Sequence, residues 1–382
     1  VQVFLYGTLC HPPLLSAVLG REAATRPAVL ADHAVFRGAG VDVPLMVPAA
    51  GERAAGQLLS GLDEADMARL GFYEAAFGYA PRAVTVEAGG PVAAAVYLPD
   101  TAPWGPGGAW SLADWAGRWG ETVTRAAGDV MALMGERDPA EVGQRYFHML
   151  VRGASRVRAA AEAAPALRRR GAGAGDVALA ARRQPYARFF SVEEYDLAFR
   201  RFDGAMSETI NRAVFISGDA ATVLPYDPVR DRVLLIEQFR AGPYARGDRN
   251  PWLLEPVAGR IDPGEPPEAA ARREAREEAG LEIGALHPVG RYYPSPGAKS
   301  EFLYSYVGIA DLPDTAARIA GVEAEAEDIR GHVMAFEAFL RIAVSPEAAA
   351  APVLISALWL EKNRAALRAA ARPAIPPAVS GA

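Results

Sequence analysis

The sequence predicts a chain of two or more domains in the mixed α+β class. Three observations carry this. The chain has 382 residues, enough for about two or three typical domains. Short strand-like runs alternate with helical stretches from the amino terminus onward. The texture then changes at Tyr186, after a stretch rich in Ala, Gly and Arg.

Composition narrows the class. Hydrophobic residues make up 51% and charged residues 23%, which excludes a disordered, collagen-like or disulfide-stapled chain. Cys10 is the single cysteine, so no intramolecular disulfide and no thiolate cluster for zinc is expected. The five histidines, His11, His33, His148, His287 and His332, are scattered. A reducing cytoplasm fits this usage. The formal charge of −6 gives no global basic field for nucleic acid. Positive charge is nearly all Arg, with Lys299 and Lys362 the only lysines, a bias that accompanies the Ala, Gly and Pro excess of a GC-rich genome. VQVFLYGTL has no preceding basic region and reads as no signal peptide. With no run of about 18 apolar residues, no membrane helix is expected.

The first half starts as strands. Val3–Leu9 is β-rich and turns at His11-Pro12-Pro13. Ala54–Leu59, Ala83–Glu87 and Val92–Leu98 are further strand-like pieces, divided by Gly and Pro. After a Pro/Gly loop, Ser111 is placed to cap a helix with Asp114 three residues on. Leu112, Trp115, Trp119, Val123 and Ala126 recur at helical spacing, so the two Trp read as core. Residues 140–170 read as a second helical stretch. Ala166–Gln184 reads as a linker or weakly packed surface segment, and Arg168-Arg169-Arg170 as a solvated charge run.

In the second half, Ala213–Ser217, Ala221–Pro225, Arg232–Gln238, Trp252–Pro256, Val289–Tyr293 and Phe302–Ile309 read as strands. Pro267–Ala279 and Pro352–Ala370 read as helices, and the Pro-rich tail as frayed.

The most informative segment runs from Gly259 to Gly284. Pro266 and Pro267 mark a helix start and Gly280 its end. Glu274, Glu277 and Glu278 fall at i, i+3 and i+4, which puts three mutually repelling carboxylates on one face. Oxygen-bound divalent metal relieves that repulsion, Mg²⁺ being the usual ion beside phosphate. A solvated helix balanced by Arg272, Arg273 and Arg276 is the bland alternative.

Gly259, Glu265, Arg273, Glu274, Glu277, Glu278, Gly280 and Leu281 stand in the order Gly-x5-Glu-x7-Arg-Glu-U-x-Glu-Glu-x-Gly-U, where U is bulky and apolar. The segment therefore resembles the Nudix box, departing only at Ala275, which is small for a U position. The resemblance implies an α/β/α sandwich that holds Mg²⁺, or Mn²⁺, against a pyrophosphate. The flanking stretches at 201–240, 251–265, 293–301, 323–333 and 355–363 resemble the bacterial ADP-ribose pyrophosphatase branch, with Pro296 at the marker position about 15 residues after the box.

By matching position, that resemblance implies Glu274, Glu277, Glu278 and the Ala258 carbonyl as metal ligands. It implies Arg212 and Arg240 as phosphate and ribose clamps and Phe189 as part of the adenine surface. Ser295 and Pro296 belong to the substrate loop, and Arg273 anchors the box loop. Glu325 is implied as the base that activates water, with Glu327 two residues away as the other choice. The implied reaction turns ADP-ribose and water into AMP and ribose 5-phosphate. GDP-mannose and other nucleoside diphosphate sugars remain open, as does a sensor that binds without cleaving. A homodimer in the cytoplasm is expected on the same resemblance, with no nucleic-acid or membrane partner.

At the amino terminus, Tyr6-Gly7-Thr8-Leu9 resembles the opening of γ-glutamylcyclotransferase-like (AIG2-like) domains. LDEADMARLGFYEAAFGYAPRAVTV, with Glu74, Tyr79 and Arg82, resembles their later signature. The implied fold is a small mixed β-barrel whose turn grips a γ-glutamyl carboxylate through backbone amides. Glu74 is implied as general acid/base, against the alternative of a structural acid; a ligand-binding or dimerising role is the other reading for the domain. Cys10 beside this turn is either a redox-sensitive thiol or an inert one. The pairing of the two domains resembles a bacterial family linked to tellurite resistance. The expected organisation is a cyclotransferase-like domain with helical extension over 1–165, a linker over 166–184, a Nudix domain over 185–370 and a tail over 371–382.

Overall fold

Val3, Phe4 and Leu5 are all buried and start the first of two compact units, Val1–Ser217 and Gly218–Ala382, into which a computed structural model divides the chain. The structure describes residues 1–101, 104–163, 165–321 and 327–371.

The first unit runs β1 (Val3–Leu5), α1 (Pro12–Leu19), β2 (Thr25–Gly38), β3 (Pro44–Leu59), α2 (Glu64–Ala75), β4 (Tyr79–Glu87), β5 (Pro91–Pro99) and β6 (Pro106–Ala109). Strand order β3-β1-β5-β4-β2 closes on itself through the β2–β3 pairing, with β6 added on β2. The barrel is mixed, because β1 runs parallel to β5 and antiparallel to β3. Two apolar clusters fill it and pack α1 and α2 against it; each fully buried Leu or Phe contributes about 1.5–3 kcal/mol. The expected strand Val3–Leu9 stops at Leu5, and Thr8–Cys10 forms a 3₁₀ turn instead. His11-Pro12-Pro13 opens a helix rather than a plain turn, since Pro fits a first turn whose N–H groups lack partners.

Ser111 caps α3 (Leu112–Trp115), its Oγ accepting from the Asp114 N–H at 3.2 Å. A π-helical turn over Ala116–Gly120 leads into α4 (Glu121–Met131), then α5 (Pro139–Gly143) and α6 (Tyr146–Ala161). Trp115 is buried, and Leu112, Trp119 and Val123 pack on the same core.

The expected linker is part strand. β7 (Val177–Ala187) pairs with β8 (Ser191–Phe199), and β8 with β9 (Ile210–Ile216), all antiparallel. Buried ions tie this sheet to α4 and α6. Asp129 accepts from Arg152 Nε at 3.0 Å, Arg156 at 2.8 Å and Arg182 at 2.9 Å. Glu193 accepts from Arg156 at 2.7 Å, from Arg182 and from Tyr195. Asp129 and Glu193 are wholly buried. Composition alone reads Arg182 as a surface cation; its partners lie 53 residues back and 11 residues ahead.

The second unit comprises β10 (Ala220–Asp227), β11 (Arg232–Phe239), α7 (Ala241–Arg246), β12 (Trp252–Glu255), β13 (Val257–Arg260), α8 (Pro267–Ala279), β14 (Leu286–Tyr292), β15 (Leu303–Ile309), β16 (Ile319–Ala320), β17 (Ile329–Ala335), α9 (Phe336–Ala343) and α10 (Ala351–Ala370). The sheet order is β14-β15-β10-β11-β17-β16, with β12 on β11 and β13 on β10. Strand alternation sorts the two faces. Ala221, Val223, Leu234 and Ile236 meet Ala270, Ala271 and Ala275 of α8. Leu224, Tyr226, Val233 and Leu235 meet Phe336, Phe339 and Val353 of α9 and α10. The unit is the α/β/α sandwich expected from the sequence.

Candidate functional site

The box segment is a strand, a loop and a helix folded against each other. Arg273 anchors them. Its Nε and Nη2 hold the two oxygens of Glu265 at 3.1 and 3.0 Å, and Nη2 also donates to the Arg260 carbonyl at 3.0 Å. Nη1 donates to Glu274 at 2.8 Å and Glu277 at 2.9 Å. A planar guanidinium fork is the side chain that can bind one carboxylate at two points and still serve others.

Close approach explains the glycines. A Cβ on Gly259 would lie 1.9 Å from Glu274 Oε1, so any side chain there would displace that carboxylate. Gly280 ends α8 at φ 61°, a left-handed position natural to Gly. Ala275, the departure from the box, is fully buried among small residues, which lets α8 lie close to the sheet.

The three glutamates differ. Glu278 is buried, and its Oε2 accepts from the Ala258 N–H at 3.0 Å. Burial, with the charges of Glu274 and Glu327, pushes its pKa up to about 8 against the pull of Ala258 and Arg240. Burial, with Glu277 and Glu327, pushes Glu274 up to about 7 against Arg273. Glu277 is the most exposed, at 42%. Among the described residues no three acidic, His or Cys side chains are gathered at metal-binding distance; Arg273 bridges Glu274 and Glu277. The all-oxygen donor set fits a hard divalent cation, and two buried carboxylates driven toward protonation are the groups such a cation would ionise.

The remaining expected residues fall as follows. Glu325 lies outside the described residues. Glu327 is close enough to act on both Glu274 and Glu278. Arg240, at the start of α7, pairs through Nε with Glu255 at 2.6 Å. Glu255 was missed by sequence reasoning, since β12 carries no local motif that marks it. Ser295 and Pro296 sit in an exposed turn, where the Ser295 carbonyl accepts from Ala298 and Lys299 N–H groups at 3.1 and 2.9 Å. In the first unit, Arg212 is exposed on β9 and donates to the Asn211 carbonyl at 2.8 Å. Phe189, half exposed between β7 and β8, stacks near His148 and Phe190 at 4.8 and 4.7 Å.

The first unit holds a second candidate site. Tyr6, Gly7, Thr8 and Leu9 line a cavity of about 430 Å³ together with Glu74. A Cβ on Gly7 would lie 2.5 Å from Pro44 Cγ, so Gly lets the turn seat against β3. Burial pushes Glu74, which lines the cavity, up to about 8. Burial and then the Glu74 charge push Tyr79 up to about 12. Tyr73, Tyr97 and Tyr146 join the wall. Tyr73 stands on α2 beside Glu74 within the later signature, whereas Tyr97 and Tyr146 arrive from β5 and α6 with no local pattern to flag them. Arg82, part of the later signature, pairs with Asp100 and does not line the cavity. Cys10 donates to the Leu5 carbonyl at 3.2 Å, and burial pushes its thiol up to about 11, which keeps it protonated at neutral pH.

Comparison with known proteins agrees with this layout. The family model for the NUDIX domain matches residues 217–353, and that for gamma-glutamyl cyclotransferase, AIG2-like, matches residues 3–115. An ADP-ribose pyrophosphatase of Escherichia coli is 43% identical over 196 residues, which cover 51% of this chain and 93% of that protein. One of Haemophilus influenzae is 33% identical over 195 residues, 50% of this chain and 89% of that protein. A GDP-mannose pyrophosphatase of Citrobacter koseri is 38% identical over 118 residues, 31% of this chain and 60% of that protein. No helix among the described residues is long and apolar enough to cross a membrane. With its box in register and a 43% identical relative spanned almost end to end, the chain belongs to the Nudix family and carries an AIG2-like gamma-glutamyl cyclotransferase domain ahead of its Nudix domain.

Proposed function

We propose that the second unit's box is the catalytic centre of a Mg²⁺-dependent pyrophosphohydrolase that cleaves ADP-ribose to AMP and ribose 5-phosphate. The observation that carries it is the buried carboxylate of Glu278 on Ala258, set beside the Arg273 fork that fixes Glu265, Glu274 and Glu277. Glu274, Glu277, Glu278 and the Ala258 carbonyl hold the cation, for which Mn²⁺ is the substitute. Once bound, it screens the pyrophosphate charge and lowers the pKa of its water. Glu325 takes the proton of the attacking water, with Glu327 the competing assignment. By matching position, Arg240 and Arg212 bind the phosphates and ribose, Phe189 meets the adenine, and Ser295 and Pro296 shape the substrate loop. The relatives named for ADP-ribose favour that substrate over GDP-mannose, and the working form is a homodimer.

The test is a hydrolysis panel of ADP-ribose, GDP-mannose, ADP-glucose and dinucleotides on the full chain, with Mg²⁺ and with chelator. AMP from ADP-ribose in Mg²⁺ alone is expected. Glu278→Gln lowers that rate about 100-fold or more, as a misplaced catalytic group does; full retained activity would remove Glu278 from the metal set. Binding of ADP-ribose without AMP release would make the protein a sensor.

A second reading is favoured by the cavity around Glu74. The first unit closes γ-glutamyl amides to 5-oxoproline, the Tyr6–Leu9 turn holding the substrate carboxylate and Glu74 moving protons. Release of 5-oxoproline that Glu74→Gln abolishes is the supporting outcome.

A further inference from the structure

The AIG2-like family model ends at residue 115 and the NUDIX model begins at residue 217. Between them, inside the first unit, lie α4, α6 and the β7–β9 sheet. This stretch carries Phe189 and Arg212, which the hydrolase reading sets against the substrate. α6 holds the sheet at two places. At its start, Arg145 Nη1 donates to the Ala187 carbonyl at 3.0 Å, and the His148 ring lies 4.8 Å from that of Phe189. The β7–β8 turn that bears Phe189 is therefore fixed to the helix by a hydrogen bond and a ring contact. Further along, Arg156 donates to Asp129 of α4 at 2.8 Å and to Glu193 of β8 at 2.7 Å. Arg182 of β7 reaches the same two acids, and Tyr195 donates its hydroxyl to Glu193. Arg182, Tyr195 and Arg212 form one row across β7, β8 and β9, each directly opposite the next, so they share a face of the sheet. Arg212 is exposed at the end of that row. Desolvation offsets much of the attraction in such a cluster. What the cluster supplies is a fixed geometry, because a sheet that slid would break several charge-assisted hydrogen bonds in a dry site.

We propose that Arg145, Arg156, Arg182 and Tyr195 are positioning residues for ADP-ribose hydrolysis. They lock the β7–β9 sheet onto α4 and α6 and so preset Phe189 and Arg212 for the nucleoside end of the substrate. The inference rests on the hydrolase reading and extends its site into the segment that neither family model covers. The four residues act through Phe189 and Arg212 and leave the box helix untouched. Their loss weakens ground state and transition state alike, which raises KM and spares kcat.

The experiment uses the full chain with ADP-ribose and Mg²⁺, AMP release being followed by chromatography. Arg156→Gln leaves Asp129 with Arg152 and Arg182, and Glu193 with Arg182 and Tyr195, so neither buried acid is stranded. It is expected to raise KM at least fivefold, with kcat within twofold of the parent and the half-saturating Mg²⁺ concentration unmoved. The inhibition constant of AMP, which keeps the nucleoside half, should rise by the same factor. Arg156→Lys, which keeps the charge without the fork, should fall between parent and Arg156→Gln. Tyr195→Phe removes one hydroxyl from the row and is expected to raise KM at least threefold; it decides the matter should Arg156→Gln not fold. Parental KM in the folded variants overturns the positioning inference and leaves the hydrolase standing. A fall in kcat as large as the rise in KM, or a higher Mg²⁺ requirement, also overturns it. No AMP from ADP-ribose with the unchanged chain overturns the hydrolase reading itself.

Discussion

Arg273 grips Glu265 at two points, 3.1 and 3.0 Å, across eight residues of chain. The pair fixes the loop before α8 to the helix that carries the candidate metal ligands. Lys cannot reproduce a two-point grip. Arg273→Lys is therefore expected to lower Mg²⁺-dependent hydrolysis about 10–100-fold, the usual effect of losing a group that orients metal ligands. Steady-state assays over a Mg²⁺ titration check this, and the metal requirement should move to higher concentration.

Gly259→Ala places a methyl group 1.9 Å from Glu274 Oε1. The carboxylate must swing away, so activity is expected to fall about 100-fold. Gly259 lies within β13 and is paired with Ala221 of the sheet, so a circular dichroism spectrum should stay that of the parent. Parental activity would show that hydrolysis does not need the Glu274 carboxylate in this place.

The buried cluster in the first unit predicts a stability effect. Arg152→Met leaves Asp129 short of one counter-ion in a dry site, a change expected to destabilise by about 3 kcal/mol. Denaturant unfolding followed by a probe in the first unit measures it. Burial opposes the ionised form of Asp129, but Arg156, Arg152 and Arg182 outweigh it and hold its pKa below the usual value. A depressed acid stabilises the fold above the unfolded pKa, about 3.9, and that contribution is lost as pH falls through the folded value. Parent and Asp129→Asn should therefore differ most near neutrality and converge in strong acid.

Glu74 predicts the opposite trend. Its folded pKa is near 8 because of burial, above the unfolded value of about 4.3. Its stabilising share is present below the unfolded pKa and is lost as pH rises toward 8. Glu74→Gln should gain thermal stability relative to the parent between about pH 5 and pH 9. In the same window 5-oxoproline release by the parent should rise as Glu74 ionises to act as base, while the neighbouring tyrosines, all raised, stay neutral.

Much of the second unit was legible. Pro267–Ala279 matches α8 residue for residue, because Pro at the start and Gly280 at the end are local signals. The strands there announce themselves as apolar runs covered on both faces, as in Ala220–Asp227. The first unit was harder. β2, α1 and α2 left weak local patterns, and Val3–Leu9 overran because β propensity does not show where a ladder partner stops.

The sequence by itself determined the family, through residue types in fixed order along the chain, and it determined the box helix, its cap glycine and the spacing of its acids, which depend on residues within about one or two helical turns. Only the tertiary structure decided that Ala166–Gln184 ends as a strand held by Asp129 and Glu193, that Arg273 binds the box carboxylates, and that Glu74 stands in a tyrosine-walled cavity. The physical reason is that burial and ion pairing depend on which distant residues share a low-dielectric space. An acid's spacing along the chain says what it can reach on its own helix, and its packed surroundings say whether it is charged.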